Sequence, residues 1–303
     1  MSTMNAERRR DGRAGQETRA YVYGVGRDDG SLGPLTASGS GVDGCEVRVV
    51  AAGGLAALVS DVPARAFDEE ALRRRLEDLG ALEELARAHH GVVDAAFARA
   101  PVLPLRLATV YTDEGRVTDM LLAHQGGFTE LLTWLDGHVE LGVKVFVDPR
   151  AASSADAAPA PGEEAGPTSP GRAYLQRRRR QRHGTEELYR AAERVTGQVT
   201  RAAREASRAA VVHRAQQGDL TGGPGVNVAN HAYLVPAVAE ARFRAGVEAA
   251  ASGVAGVRVE VTGPWAPYSF ASPVAGEDAG HPVRAGHAQD GGSGGGEGGA
   301  APR

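Results

Sequence analysis

The sequence has few aromatic residues and almost no cysteine. Aromatic side chains make up 5% of the 303 residues, and Cys45 is the one cysteine. A single cysteine cannot form a disulfide within the chain, which fits a reducing compartment. No histidine lies near Cys45 in the sequence and a predicted strand starts there, so a buried thiol is favoured over a nucleophile.

Long apolar runs and a strong charge of one sign are also missing. No uncharged stretch approaches the roughly 18–20 apolar residues that cross a bilayer. The N-terminal Arg8-Arg-Arg10 is followed by polar residues and not by the apolar core of a signal peptide. The formal net charge of −4 gives no general attraction to nucleic acid or to an anionic membrane. We therefore expect a soluble, cytoplasmic protein with no membrane partner and no specific nucleic-acid partner.

Segments of small and polar residues divide the chain. Residues 1–19 are polar and Arg-rich and residues 276–303 are Gly-rich, so both are predicted to be disordered tails that bury too little apolar surface to fold. Residues 151–170 are rich in Ala, Pro and Ser, a composition typical of a flexible linker. The chain is thus predicted to contain an N-terminal domain at 20–150 and a C-terminal domain at 171–275.

The N-terminal domain is predicted to mix strands with helices. Alternating or β-branched runs bounded by glycine-rich turns predict strands, and apolar residues recurring at spacings of three and four predict helices. Asp68 has the position of a helix N-cap. The predicted strands are 20–25, 46–51, 55–61, 102–111 and 139–147, and the predicted helices are 69–79, 82–97, 117–123 and 128–136.

The C-terminal domain is predicted to begin with a long helix at 172–217, whose apolar stripe is rich in alanine. A strand at 226–235, a helix at 237–251 and a strand at 257–262 follow. Gly142-Val-Lys-Val-Phe-Val147 and Gly256-Val-Arg-Val-Glu-Val261 are similar, each near the end of its predicted domain. These elements favour an α+β fold in which helices cover one face of mainly antiparallel sheets.

The most informative segment is Thr262-Gly-Pro-Trp-Ala-Pro-Tyr-Ser-Phe270, here termed the strand exit. Its two prolines lack an N–H and are expected to end the hydrogen-bond ladder of the preceding strand. Trp265, Tyr268 and Phe270 have two interpretations. Sealing the open end of a core is favoured, and the alternative is an exposed anchor for a partner, since Trp and Tyr dominate binding hot spots.

Six blocks in a fixed order, the strand exit among them, resemble the gas vesicle protein F/L family, whose members are accessory proteins that help assemble protein-walled gas vesicles. The resemblance covers roughly residues 20–271. The other blocks are Tyr21-Val-Tyr-Gly-Val25, Gly54-Leu-Ala-Ala-Leu-Val-Ser60, His89 with Val102-Leu-Pro-Leu-Arg106, Gly171-Arg-Ala-Tyr-Leu175 and Asn230-His-Ala-Tyr-Leu-Val235. Two positions depart from the family pattern: Leu107-Ala108 stands in place of an aromatic residue and glycine, and His231 in place of a small residue.

The resemblance implies ferredoxin-like elements in both domains, with the long helix in the second. It also implies a non-enzymatic role as a minor structural or nucleating component of the gas vesicle. The implied partners are the small, hydrophobic shell subunit and other accessory gas vesicle proteins.

The strongest local charge is the run Arg177, Arg178, Arg179, Arg180 and Arg182 on the predicted long helix. Consecutive arginines point to all sides of a helix, and no aromatic residue is interleaved to stack on bases. A solvated helix surface, or a docking point for an acidic partner, is therefore favoured over a nucleic-acid site.

Candidate catalytic and ligand-binding motifs are weak. Side chains of His89 and His90, adjacent on a predicted helix, point about 100° apart and cannot easily share one metal ion, so a structural role is predicted. Gly24-Val-Gly26 follows a strand but no helix start follows it, which favours turn chemistry over a nucleotide site. The sequence therefore predicts no catalytic residue, cofactor, metal or small-molecule substrate.

Taken with the resemblance, these features predict a gas vesicle accessory protein that assists nucleation and assembly by binding the shell subunit. One edge strand of either domain, together with the arginine-rich helix surface, is the expected receiving surface. The alternative from another class is a ligand-sensing or regulatory protein built from two ferredoxin-like domains, which fold alone does not exclude.

Overall fold

The computed structural model describes residues 17–33, 40–150, 170–215 and 225–271, which form two antiparallel sheets with helices packed on them. The predicted α+β class with antiparallel sheets is confirmed. The predicted tails and the 151–170 segment lie outside the described residues, apart from residues 17–19 and Pro170.

The first sheet contains five strands in the order β2-β3-β1-β4, with β5 also paired to β1. β1 lies between its neighbours with a bulge between Val22 and Gly24. The strands are β1 Thr18–Arg27, β2 Val47–Ala52, β3 Leu55–Pro63, β4 Leu103–Pro104 and β5 Val110–Tyr111.

Among the described residues, five α-helices accompany this sheet. Aspartates begin three of them, because Asp68, Asp78 and Asp113 each accept the backbone N–H three residues later, as N-caps do. The cap predicted at Asp68 is confirmed. The helices are α1 Ala64–Phe67, α2 Glu69–Glu77, α3 Leu79–Phe97, α4 Glu114–Ala123 and α5 Gln125–Leu135.

Helices cover both faces of the first sheet. Side chains of β1 alternate between these faces and so contribute to the core on each side. Tyr21 and Tyr23 pack under α1, α2 and α3. Val22 and Val25 face α4 and α5, and the cluster on that side also includes Leu234 of the second sheet. The α4–α5 layer therefore lies between the two sheets.

The second sheet has the order β7-β8-β6-β9, and all its pairs are antiparallel. In chain order its elements run β-α-β-β-α-β, and with this strand order they form a ferredoxin-like unit. Its helices pack on one face, opposite the α4–α5 layer. The elements are β6 His138–Val147, α6 Pro170–Glu205, β7 Ala209–His213, β8 Val226–Pro236, α7 Glu240–Ala251 and β9 Val257–Trp265.

The prediction that the strand at 139–147 closes the N-terminal domain is wrong. β6 is the first strand of the second sheet and pairs with β8 and β9. The Pro-rich segment 151–170 therefore joins two elements of the same sheet layer, which composition alone cannot distinguish from an interdomain linker. The similar sequences at 142–147 and 256–261 belong to neighbouring strands of one sheet.

Three other element predictions need correction. The long helix ends at Glu205 instead of residue 217, and β7 follows, because Val211 and Val212 extend the chain beside β8. The strand predicted at 102–111 is two short strands, β4 and β5. β9 continues through Pro264, and after a register shift Trp265 pairs with Glu140.

Only the C-terminal half of α6 packs on the second sheet. Val195, Val199 and Ala203 lie in its core, and Leu188 contacts Val147 at the end of β6. Residues 172 and 174–182 are exposed and extend past that end of the sheet. We call residues 170–187 the α6 overhang. In the part of the chain that the structure describes, no helix is both long and apolar enough to cross a membrane.

Candidate partner-binding site

The strand exit leaves β9 and turns back between the two sheets. A single 3-10 turn, Tyr268–Phe270, follows the strand. Ala266 is fully buried in the cluster of the first sheet, whereas Phe270 is buried in the cluster shared by both sheets. The segment therefore joins the two halves of the molecule through apolar contacts.

Tyr268 packs against α3 of the first sheet. Its ring centroid lies 5.0 Å from that of His90 and 6.4 Å from that of His89. Burial raises the pKa of Tyr268 well above the usual value for a phenol. Its hydroxyl has no hydrogen-bond partner within the described ranges.

Phe270 and Ser269 connect the strand exit to α5 and to strands of the second sheet. Phe270 is 7% exposed and makes an edge-to-face contact with Trp134 of α5, with ring centroids 6.1 Å apart. The Ser269 backbone N–H and hydroxyl donate to the two carboxylate oxygens of Glu140, each at 2.7 Å. His213 Nε2 lies 3.0 Å from the Ser269 hydroxyl oxygen.

This Ser–His–Glu cluster does not have the geometry of a nucleophilic triad. In a triad the imidazole lies between serine and carboxylate and takes the serine proton. Here Ser269 lies in the middle, and its hydroxyl donates to the Glu140 carboxylate instead of to His213. The arrangement fixes the strand exit on β6 and does not activate the hydroxyl.

Trp265 is the one ring of the strand exit that faces solvent, with 49% exposure. It lies beside the start of β6, where Glu140 is its strand partner. A 3-10 turn at Ala237–Ala239, just before α7, carries Val238, which is 98% exposed and lies two residues after the Pro236 that pairs with His138. Two large apolar side chains are therefore exposed at this end of the second sheet.

His89 is a buried, neutral core residue. It is 1% exposed, and its Nδ1 lies 3.0 Å from the Tyr21 hydroxyl, which also accepts the Ala108 N–H at 3.1 Å. Burial, followed by the neighbouring His90, lowers the pKa of His89 to about 4. A phenol both donates and accepts, so the Tyr21 hydroxyl can accept the Ala108 N–H and donate its proton to the neutral imidazole at the same time.

Two other motifs have structural explanations. Cys45 is 4% exposed and lies in the same core cluster as Tyr21 and Tyr23, as the buried-thiol interpretation expects. Gly24 and Gly26 lie inside β1 and not in a turn, so that prediction is wrong. A side chain at Gly24 would come within 2.9 Å of the Leu103 carbonyl, and the glycine thus allows β4 to approach. Across residues 17–33, 40–150, 170–215 and 225–271, no three His, Cys, Asp or Glu side chains could hold a metal ion.

The structure separates the two sequence-predicted partner sites. Arg177, Arg178, Arg179, Arg180 and Arg182 are exposed on the α6 overhang. The overhang extends from the end of β6, near Val147, whereas Trp265 lies beside the start of the same strand. At about 3.3 Å per strand residue and 1.5 Å per helix residue, the two regions lie roughly 30 Å apart.

The edges of the second sheet differ in their readiness to accept another strand. Arg244 of α7 donates to the carbonyls of Val261 and Gly263 of the edge strand β9, at 3.5 and 2.7 Å. That edge is therefore partly capped. The opposite edge strand, β7, exposes Val212 by 69%. Sequence reasoning missed β7 because its alanines continue the stripe of the long helix, although adjacent Val211 and Val212 were the available signal.

Two antiparallel sheets, a ferredoxin-like second sheet and a strand exit that packs against both define the class of this α+β protein. The profile of the family described as "Gas vesicle synthesis protein GvpL/GvpF" matches residues 19–272. The chain therefore belongs to the GvpL/GvpF family of gas vesicle proteins, a family of structural and accessory proteins and not of enzymes. Membership gives it a gas vesicle role in association with gas vesicle components.

Relatives and solved structures agree with this membership. The chain is 42% identical to gas vesicle protein L of Streptomyces sp. (strain CB03234) over 258 residues, which cover 85% of this chain and 94% of that protein. It is 31% identical to gas vesicle protein F of the same strain, over 82% and 98% of the two chains. The crystal structure of GvpF from Anabaena sp. PCC7120 has a TM-score of 0.61 at 20% identity, over 87% of this chain and 100% of that one. GvpF from Microcystis aeruginosa has a TM-score of 0.56 at 19% identity, over 84% and 99%. At these identities the two crystal structures bear on the fold alone.

Proposed function

We propose that this protein assists the nucleation and assembly of gas vesicles by binding the hydrophobic shell subunit before it enters the vesicle wall. Family membership supports a gas vesicle role, and the surface supports a role in recognition. A hydrophobic subunit with unpaired strands aggregates unless a partner covers it. The ligand-sensing alternative has no specific feature in its favour among the described residues.

The observation that carries the shell-binding proposal is the position of β7 at the edge of the second sheet. Val212 is 69% exposed on an edge strand, and the opposite edge is partly capped by Arg244. A strand added at this edge would pair with the backbone of β7 and cover this valine at the same time. We therefore propose β7 as the receiving edge, with Trp265 on the opposite edge strand, β9, as the aromatic anchor.

Capture of the shell subunit by the tagged protein tests this mechanism. A lysine on an edge strand opposes pairing, so Val212→Lys is expected to reduce capture at least about fivefold. Leu79→Lys is the control, since Leu79 is 75% exposed at the start of α3, away from the sheet edges. Equal capture by both variants would contradict pairing at β7.

Two further measurements complete the test. If capture survives proline substitutions along β2, β7 and β9, strand addition is the wrong mechanism. Deletion of the gene, followed by electron microscopy, is expected to abolish vesicles or leave them small and few. Normal vesicles in the deletion strain would contradict the assembly role itself.

A further inference from the structure

One side of α6 packs on the second sheet, and the α6 overhang continues that side of the helix beyond the end of the sheet. Tyr174, Arg178, Arg182 and Thr185 follow one another at helical spacings of four, four and three. The same spacing continues through Leu188, Ala192 and Val195, which pack on the second sheet. The side of α6 that is buried along the sheet is thus exposed along the overhang.

A groove of about 720 Å³ lies where this side leaves the sheet. Pro149 and Arg150, just after β6, form one wall, and Arg178, Arg182 and Thr185 line the other. Three arginines therefore face one groove from two separate parts of the chain. The one acidic residue of the lining, Glu186, lies 3.6 Å from Arg190, its ion-pair partner on the next turn.

The charge of the overhang defines what can fill this groove. The overhang contains six arginines and two acidic residues, Glu186 and Glu187 at its last two positions, although the whole chain has a net charge of −4. Guanidinium groups bind carboxylates through paired hydrogen bonds, and arginine is favoured at protein interfaces. An occupant with several carboxylates would neutralise this concentration of positive charge.

Apolar surface beside the arginines indicates a polypeptide occupant. Tyr174 and Leu175 are each 60% exposed and lie one turn before Arg178 on the same side of the helix. A phosphate backbone would use the arginines but would leave these two side chains in water. A segment that alternates carboxylates with apolar side chains at helical spacing would cover both.

We propose that the overhang and the segment after β6 form a docking groove for an acidic, amphipathic segment of another polypeptide. The groove lies roughly 30 Å from Trp265 and is formed by α6 and the segment after β6, whereas the shell-binding edge proposed above is β7. The protein would then hold two partners at once, one at the edge of β7 and one in the groove.

Binding of a labelled peptide tests the groove without the shell subunit. The probe is a fluorescein-labelled helical peptide with glutamates at i and i+4 and leucines along one side, titrated into the full-length protein and followed by fluorescence anisotropy. The double variant Arg178→Gln/Arg182→Gln is expected to weaken binding about tenfold at low salt. Tyr174→Ser is expected to weaken it about threefold.

The matched control uses the same charge change on other sides of the same helix. Arg177 and Arg179 point about 100° to either side of Arg178. The double variant Arg177→Gln/Arg179→Gln is therefore expected to weaken peptide binding by less than about threefold. Equal losses in the two double variants would overturn the groove, because a uniform basic helix would explain them. Circular dichroism confirms that each variant folds.

The same wild-type and variant proteins distinguish two other possible occupants of the groove, a nucleic acid and a second copy of this chain. Single-stranded DNA of equal net charge is expected to bind more weakly than the peptide and to be insensitive to Tyr174→Ser. Tighter binding of the DNA would overturn the polypeptide proposal. Sedimentation measures self-association, and dimers that disappear in Arg178→Gln/Arg182→Gln would show instead that the groove receives a second copy of this acidic chain.

Discussion

Glu140 and Ser269 join the first strand of the second sheet to the strand exit through two hydrogen bonds of 2.7 Å. One carboxylate oxygen accepts the Ser269 backbone N–H and the other accepts the hydroxyl. Burial raises the pKa of Glu140, and the two bonds from Ser269 act in the opposite direction. The pair holds in place the turn that carries Tyr268 and Phe270.

Removing either partner should destabilise the fold by different amounts. Ser269→Ala loses only the hydroxyl bond and is expected to cost about 1 kcal/mol, whereas Glu140→Ala loses both acceptors and is expected to cost about 2–3 kcal/mol. Urea denaturation measures both values. Glu260→Ala, on the neighbouring strand with an exposed side chain, is the control and should cost less than about 0.5 kcal/mol.

The double variant Glu140→Ala/Ser269→Ala checks that the two residues act together. The hydroxyl bond can be lost only once. The destabilisation of the double variant should therefore be smaller than the sum of the two single-variant values by about 1 kcal/mol. Additive costs would show that the two side chains stabilise the fold independently.

The aromatic rings of the strand exit should separate into structural and binding roles. Phe270→Ala is expected to cost about 3–4 kcal/mol, since Phe270 is buried against Trp134. Trp265→Ala should cost less than about 1 kcal/mol and should lose capture of the shell subunit. A Trp265→Ala protein that does not fold would make this ring part of the core and remove it from the binding surface.

Much of the fold follows from local patterns, but the grouping of strands does not. β1, β3 and β8 alternate or are continuously apolar, and Asp68 caps its helix, so periodicity and capping predict them. β6 has the same alternation whether it pairs with the first sheet or the second. Its partners are set by the crossover through α6, which is a property of the whole chain.

The candidate binding surfaces were also predicted only in part from local sequence patterns. Composition identified the aromatic and arginine clusters, yet the exposure of Trp265 and the burial of Phe270 depend on which way β9 leaves the sheet. The groove required Arg150, which lies distant in sequence from Arg178 and carries no motif. Sequence reasoning also missed β7, since a short alanine-containing strand after a helix resembles the helix itself.

Ala108 adopts a backbone conformation that suits glycine. Its φ of 65° is unfavourable for a residue with a Cβ. Ala108→Gly is expected to raise the free energy of unfolding by about 1 kcal/mol, with the N–H bond to Tyr21 retained. Ala98→Gly is the control, because Ala98 has φ −63° and its exchange should lower stability by about 0.5–1 kcal/mol. A loss of stability in Ala108→Gly would contradict strain at this turn.

His89 should make stability depend on pH. Its pKa is about 4 in the folded protein and about 6.5 in the unfolded chain, so the unfolded state binds the proton first as pH falls. The stabilisation is complete above pH 6.5 and is lost between pH 6.5 and 4, by about 3 kcal/mol.

Two variants distinguish this titration from the loss of a hydrogen bond. His89→Gln keeps an acceptor for the Tyr21 hydroxyl but does not titrate, so its stability should fall about 3 kcal/mol less than that of the wild type between pH 7 and 4. Tyr21→Phe removes the bond at every pH and should lower stability by about 1–2 kcal/mol with the pH dependence retained. Parallel curves for His89→Gln and the wild type would show that the imidazole does not remain neutral in the folded core.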